Sequence, residues 1–287
     1  MVDGRKVILV VGANGRSGGM VARYLARNGF TVRALSRSES AGAKARANGA
    51  SEVAMGDLRD PASLDAALQG VDGVFHVGPP FAFDEAQMGV SMVRSAERAG
   101  VRKFVFSAAI HPANGLSNHA SKLPVIEAVT RSRMDFTILY PATYYQNLDA
   151  SWGNVVTSGV FVEPFPGDVR IARVDYRDVA QVVVEAFHSD RLAYGSFELC
   201  ADEMPDRPEI AALMSEALGH TIIAAEVRFE AWAAALQPSP PPDLFKQLEI
   251  VYRSYAQFGS PGNSLVLRSI LGRKPRTLGE YFRELAG

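Results

Sequence analysis

An apolar, β-branched run, Val7-Ile8-Leu9-Val10-Val11, leads directly into Gly12-Ala13-Asn14-Gly15-Arg16-Ser17-Gly18-Gly19. No other stretch limits the fold so strongly. Glycines at 12, 15 and 18 give the spacing G-x-x-G-x-x-G, a variant of the dinucleotide fingerprint, in the strand-turn-helix context that gives the motif its meaning. There Gly12 allows a tight turn, Gly15 lets the backbone approach a diphosphate, and Gly18 lets the helix pack closely on the sheet. Asn14, Arg16 and Ser17 fill the same turn, at a helix N-terminus whose unpaired N–H groups suit phosphate oxygens. The letters Gly15-Arg16-Ser17-Gly18-Gly19 also satisfy G-x-S-x-G, the nucleophile elbow of hydrolases. That reading leaves Gly12 unexplained and needs an acid and a histidine, and no histidine here has a suitable context.

Five further strand-like runs follow, Phe30–Leu35, Glu52–Met55, Gly73–Val77, Lys103–Ser107 and Phe136–Tyr140, with helical patterns between them. Asn28-Gly29, Asn48-Gly49, Gln69-Gly70 and Ala99-Gly100 each place glycine where a helix closes before the next strand. Asp60-Pro61 gives the opposite signal, a cap followed by proline at the first helical position. Strands alternating with helices predict an α/β fold, a Rossmann-type doubly wound parallel sheet covered on both faces. The rhythm changes beyond residue 150. The expectation is a dinucleotide-binding domain over 1–150, with a strand near 195–200 returning to its sheet. A smaller, interleaved, mixed α/β substrate lobe follows over 151–287, with helices near 208–218, 243–257 and 277–286. Thr277-Leu278-Gly279-Glu280 fits a capping box for the last of these.

Composition narrows the function. The 287 residues carry 30 basic and 31 acidic side chains, and a net charge of −1 argues against a general binder of nucleic acid or anionic membranes. The single cysteine, Cys200, excludes an intrachain disulfide or a multi-thiolate zinc site and reads as a core residue. His76, His111, His188 and His220 show no metal-ligand spacing, so no metal site is expected. No apolar run approaches the ~20 residues of a membrane span. The N-terminal run leads into glycines instead of a cleavage site, and a cytoplasmic location is expected.

Ligands of such sheets lie beyond the carboxyl ends of the strands. The second strand ends Leu35-Ser36-Arg37-Ser38, with no acid until Glu39 to hold the ribose hydroxyls of NAD. Ser36 and Arg37, with Arg16 from the glycine turn, suit a 2′-phosphate, which predicts NADP(H) as cofactor. After the third strand, Asp57 is placed to accept from the adenine amino group and Leu58 to pack on the ring. After the fourth, Val77-Gly78-Pro79-Pro80 forms a small-residue floor for a ribose.

With these residues the chain resembles the atypical short-chain dehydrogenases, in particular their NmrA-like branch. The resemblance runs through Gly12–Gly18, Arg33–Arg37, Gly56-Asp57-Leu58, Val105-Phe106-Ser107, Ser121-Lys122, Thr137–Pro141, Asn147 and Gly272–Thr277. It implies a Rossmann domain, NADP(H) binding with contributions from Ser107, Lys122, Pro141 and Asn147, and a small substrate lobe. The branch includes quinone, dye and isoflavone-type reductases beside proteins that only sense the nucleotide.

The Tyr-x-x-x-Lys pair of typical short-chain dehydrogenases, in which tyrosine moves the proton, is missing. Asn118 stands four residues before Lys122. Lys122 is expected to bind the nicotinamide ribose and to face the substrate oxygen, and His119 and Tyr144 are the candidate proton donors, with Tyr145 and Ser107 nearby. Phe81, Phe83, Tyr144, Tyr145, Trp152 and Phe161 either line an apolar pocket for a flat acceptor or form core. The leading expectation is an NADPH-dependent reductase of a small conjugated aromatic acceptor such as a quinone or azo compound. The rival is a non-catalytic NADP(H) sensor acting through a regulatory protein partner. An isomerase using bound NADP is a weaker third reading, and a homodimer is compatible with either leading one.

Overall fold

In the computed structural model, which describes residues 5–236 and 238–287, the predicted alternation becomes one seven-stranded sheet. The first segment runs β1 (Val7–Val10), α1 (Arg16–Arg27), β2 (Thr31–Ser36), α2 (Glu39–Ala47), β3 (Glu52–Met55), α3 (Pro61–Ala67), β4 (Gly73–Val77), α4 (Glu85–Arg98), β5 (Lys103–Ser107), α5 (Ser117–Ala120), α6 (Leu123–Thr130) and β6 (Asp135–Pro141). The second runs β7 (Thr143–Tyr144), α7 (Asp149–Ser158), β8 (Val160–Glu163) and β9 (Arg173–Val174). It is followed by α8 (Tyr176–His188) and β10 (Gly195–Leu199). The remainder is α9 (Arg207–Leu218), β11 (Ile223–Glu226), α10 (Phe229–Ala235), α11 (Pro242–Phe258), α12 (Leu265–Leu271) and α13 (Leu278–Ala286).

The sheet order is β10-β6-β5-β4-β1-β2-β3, and β1 to β6 pair in parallel. The chain starts in the middle, moves out to β3, returns to β4 and then moves to the other edge. Strand order therefore reverses between β1 and β4, the position where open α/β sheets bind ligands. Asp60 caps α3 as expected, accepting from the Ala62 N–H, and the predicted helix-closing glycines at 29, 49, 70 and 100 all take positive φ.

The chain forms two compact units, Met1–Tyr140 with Tyr176–Phe197, and Pro141–Asp175 with Glu198–Gly287. It leaves the first unit at Tyr140, before the expected residue 150, for a reason in the backbone. The Ala142 N–H donates to the Leu199 carbonyl at 3.0 Å, and Thr143-Tyr144 pairs with Arg173-Val174. These bonds commit residues 142–144 before the aromatic-rich stretch begins. Helix α8 belongs to the first unit because its Val179, Ala180, Val182, Val183, Ala186 and Phe187 are all buried there. The core of the second unit gathers Tyr145, Phe161, Ile210, Met214, Leu278 and Phe282. Its helices α9 and α13 start with full capping boxes, Asp206 with Glu209 and Thr277 with Glu280. Cys200 is fully buried. Among the described residues no helix is long and apolar enough to cross a membrane.

A buried cation fastens α8 to the sheet. Lys103, at the start of β5, donates from Nζ to the Ala186 and Ser189 carbonyls at 2.9 and 2.7 Å and pairs with Asp190 at 2.9 Å. A cation at a helix C-terminus satisfies carbonyls that have no partner within the helix. Lys103→Met is expected to lower the unfolding free energy by about 2–3 kcal/mol, read from urea denaturation.

Candidate functional site

The turn between β1 and α1 is set by contacts that only glycine permits. Gly12 has φ +79°, and a Cβ there would lie 2.9 Å from Val77 Cγ1, across the point where strand order reverses. At Gly18 a Cβ would lie 2.4 Å from the Gly12 carbonyl oxygen, which is backbone and has nowhere to go. The Gly15 N–H donates to that same carbonyl at 2.9 Å. Gly15 also caps α1 without a side-chain hydrogen bond, and no acid stands in the first helical turn. The turn thus presents N–H groups and a positive helix end to whatever lies before it, while Asn14, Gly15 and Arg16 are exposed. The exposed N–H groups of this turn suit an anion such as a diphosphate, and a side chain at 12 or 18 would displace the backbone that presents them.

The residues expected at the adenosine end follow β2 and β3. Ser36 is buried and its Oγ has no hydrogen-bond partner, an orphan at a strand end that suits an added acceptor oxygen. Arg37 is exposed beside it, whereas Arg33 is held by Glu52 at 2.7 Å and by the Ala67 and Gln69 carbonyls. Asp57 accepts from the Arg59 N–H at 2.9 Å, and its own N–H donates to Ser63 Oγ at 3.0 Å. Leu58 packs into the core beside Leu35 and Leu64. Arg59 in turn forms a bidentate pair with Asp84, at 2.6 and 3.0 Å.

Beyond β4 lies a buried ion pair whose acidic member sequence reasoning missed. Lys122, the residue capping α6, donates to Glu85 Oε1 at 2.5 Å, to the Asn118 carbonyl at 3.0 Å and to Ser121 Oγ at 3.3 Å. Ser121 Oγ donates to the other Glu85 oxygen at 2.8 Å. Glu85 and Lys122 are 2% and 7% exposed, so the pair is desolvated. Gly78 in the expected ribose floor is required by the same group, since a Cβ there would lie 2.5 Å from Glu85 Oε1. Val77 and Gly78 are half-buried and Pro79 is exposed. All three N–H donors of Lys122 are engaged within the protein, which makes it a fixed charge beside this floor.

The neighbouring polar groups are unusually short of partners. Ser107 Oγ and Asn118 Oδ1 are buried with none. His76 is buried against Phe106 with Nδ1 unpartnered, and burial together with the Lys122 charge lowers its pKa to about 3. His119 is buried, with Nδ1 near Asn114 Nδ2 (3.3 Å) and the His111 carbonyl (3.4 Å). Burial also lowers its pKa, so at neutral pH it is an uncharged imidazole.

In the second unit, Pro141 is buried, Tyr144 is half-buried on β7, and Asn147 is exposed. Tyr145 and Phe161 are core, with Tyr145 donating from its hydroxyl to the Arg276 carbonyl at 3.1 Å. Trp152 stacks on Phe282 with centroids 5.6 Å apart. Of the aromatic side chains expected at a pocket, Phe83 is exposed, and Tyr145, Trp152 and Phe161 are committed to packing. Among the described residues no group of three or more His, Cys, Asp or Glu side chains is arranged to hold a metal.

The sequence profile of the NmrA-like family matches residues 4–282. The chain is 29% identical over 278 residues to the NAD(P)H azoreductase of Xenophilus azovorans, covering 96% of each protein. It is 32% identical over 249 residues to the (4-alkanoyl-5-oxo-2,5-dihydrofuran-3-yl)methyl phosphate reductase of Streptomyces griseus, covering 82% of each. Among solved structures it superposes on the NADPH-dependent quinone oxidoreductase of Escherichia coli, solved in complex with NADPH, with a TM-score of 0.84. The identity there is 23%, over 98% of this chain and all of that one.

Two outcomes check the electrostatics. Glu85→Gln and Lys122→Met are each expected to cost about 3–5 kcal/mol of stability, because either leaves one member of a buried pair uncompensated. The double variant should recover part of that loss, and strict additivity in urea denaturation counts against the pairing. His76 is protonated near pH 6.5 when unfolded but only near pH 3 when folded. The unfolded state then binds the extra proton between those values, so His76 makes stability fall as pH drops below about 6.5. His76→Phe should flatten the fall in Tm between pH about 6.5 and 5.

Proposed function

The chain belongs to the NmrA-like family, and we propose that it is an NAD(P)H-dependent oxidoreductase that uses NADPH to reduce a small conjugated acceptor of quinone or azo type. The observation that carries this reading is the β1–α1 turn, where Gly12 and Gly18 leave room for backbone alone and the end of α1 has no side-chain cap. The azoreductase and butenolide reductase relatives support a redox role over most of the chain.

The reduced nicotinamide supplies the hydride. The protein's contribution is to bind and orient. Asn14, Gly15, Ser17 and Gly18 hold the diphosphate, Ser36 and Arg37 with Arg16 the 2′-phosphate, and Asp57 and Leu58 the adenine side. Val77, Gly78, Pro79 and Ser107 form the floor of the nicotinamide ribose, and Pro141 and Asn147 are the further contacts that the family resemblance implies. Lys122, whose charge the Glu85 carboxylate balances, braces this floor through the ion pair against Gly78 instead of supplying a net charge to the acceptor. Since its donors are engaged and His119 is uncharged, the acceptor's proton comes from solvent or from Tyr144. Tyr144→Phe separates the two, because unchanged turnover assigns the proton to solvent.

Steady NADPH oxidation, followed at the nicotinamide absorbance band with a panel of soluble quinones and azo dyes, is the expected result. Tight binding with no turnover across the panel would favour a cofactor sensor, the reading motivated by the missing tyrosine. Arg37→Ala is expected to weaken NADPH about tenfold while leaving NADH unchanged, as measured by fluorescence titration.

A further inference from the structure

Gly19 has no part in the dinucleotide fingerprint, yet it too admits no side chain. A Cβ at this position would lie 2.4 Å from Asn48 Nδ2 and 3.1 Å from the Ala13 carbonyl oxygen. The side chain that occupies the space comes from the far end of α2. Asn48 caps that helix, and its Nδ2 crosses to donate to the Ala13 carbonyl at 2.9 Å. Its Oδ1 accepts from Arg23 Nη2 of α1 at 3.1 Å, which fixes which end of the amide faces the turn. Asn48 is therefore held from behind and bonded to one particular peptide group inside the glycine turn.

That peptide joins Ala13 to Asn14. In a trans peptide the carbonyl of one residue and the N–H of the next lie in one plane and point in opposite directions. With the Ala13 carbonyl drawn toward Asn48, the Asn14 N–H points the other way, to the exposed side of the turn. A hydrogen bond accepted by a carbonyl also polarises the N–H of the same peptide, strengthening it as a donor. Gly19 is the clearance that lets Asn48 reach in.

We propose that Asn48 is a positioning residue for the cofactor diphosphate, acting through the Ala13–Asn14 peptide to aim the Asn14 N–H. The inference rests on the dinucleotide reading of the turn and adds a residue to it. Because the diphosphate is common to NADPH and NADH, Asn48 serves both alike. A different effect would follow if Asn48 acted only by steadying α2, which starts directly after Ser36, Arg37 and Ser38. Loss would then be confined to NADPH.

The test measures Kd for NADPH and NADH by fluorescence titration in the wild type, Asn48→Ala, Asn48→Asp and a control, Asn28→Ala. Asn28 caps α1 and donates to the Tyr24 carbonyl of its own helix at 2.8 Å, so it reports the cost of losing an ordinary helix-end asparagine. Asn48→Ala is expected to weaken both cofactors by the same factor, about fivefold to tenfold. Asn48→Asp keeps an acceptor for Arg23 but has no N–H to give Ala13, and should weaken them at least as much. In the apoprotein, the Asn14 amide resonance of the ¹⁵N–¹H spectrum should move in both Asn48 variants and stay in place in the control. Wild-type affinity in Asn48→Ala overturns the proposal, as does a loss restricted to NADPH. A wild-type chain that binds neither cofactor removes the dinucleotide reading itself, and this inference with it.

Discussion

The close approach of α1 to the end of β1 governs the rest of the site. With Gly18 seated against the Gly12 carbonyl, the helix axis is brought down onto the strand end and its first N–H groups face outward from the sheet. A single methyl group at 18 would push the backbone aside, and the direction of those donors would change with it. Everything downstream of this contact uses a fixed donor set: the reversal of strand order beside Val77, the orphan hydroxyl of Ser36 and the floor at Gly78. A pre-arranged set of dipoles binds an anion without reorganising, which is how a turn made of exposed backbone achieves affinity.

The second constraint is a buried charge. An ammonium as enclosed as Lys122 is tolerated because Glu85, Ser121 and the Asn118 carbonyl complete its hydrogen bonds, and Glu85 in turn closes on Gly78. In a short-chain dehydrogenase with the tyrosine present, the lysine tunes that tyrosine. Here it has a carboxylate beside it instead. The pair makes a rigid electrostatic feature out of residues that would each be costly alone.

The sheet was legible because its strands are short apolar runs bounded by glycine, a pattern that survives without neighbours in sequence. The glycine turn and Lys122 were legible for the same local reason. Glu85 was not, because an acid in the first turn of a helix reads as ordinary compensation of the helix dipole. Its partner also lies 37 residues away, with no spacing to mark it. Asn48 was read only as part of an Asn-Gly helix stop, since nothing in that dipeptide tells which way the amide turns. In the second unit the strands have two to four residues, too few for a period to show. Its aromatic residues fit a pocket or a core equally well until packing decides, and for Tyr145 and Phe161 it decides for the core.

The path of the chain between its units bears on synthesis. The polypeptide passes from one unit to the other after Tyr140, after Asp175 and after Phe197. A ribosome that has released the first six strands has therefore delivered an incomplete body, whose flank waits for α8 and whose edge waits for β10. Lys103 emerges long before the carbonyls it will hold. The first unit must stay unfinished, with apolar surface showing, while residues 141–175 of the other unit are made, a stage at which chaperone binding has a physical target.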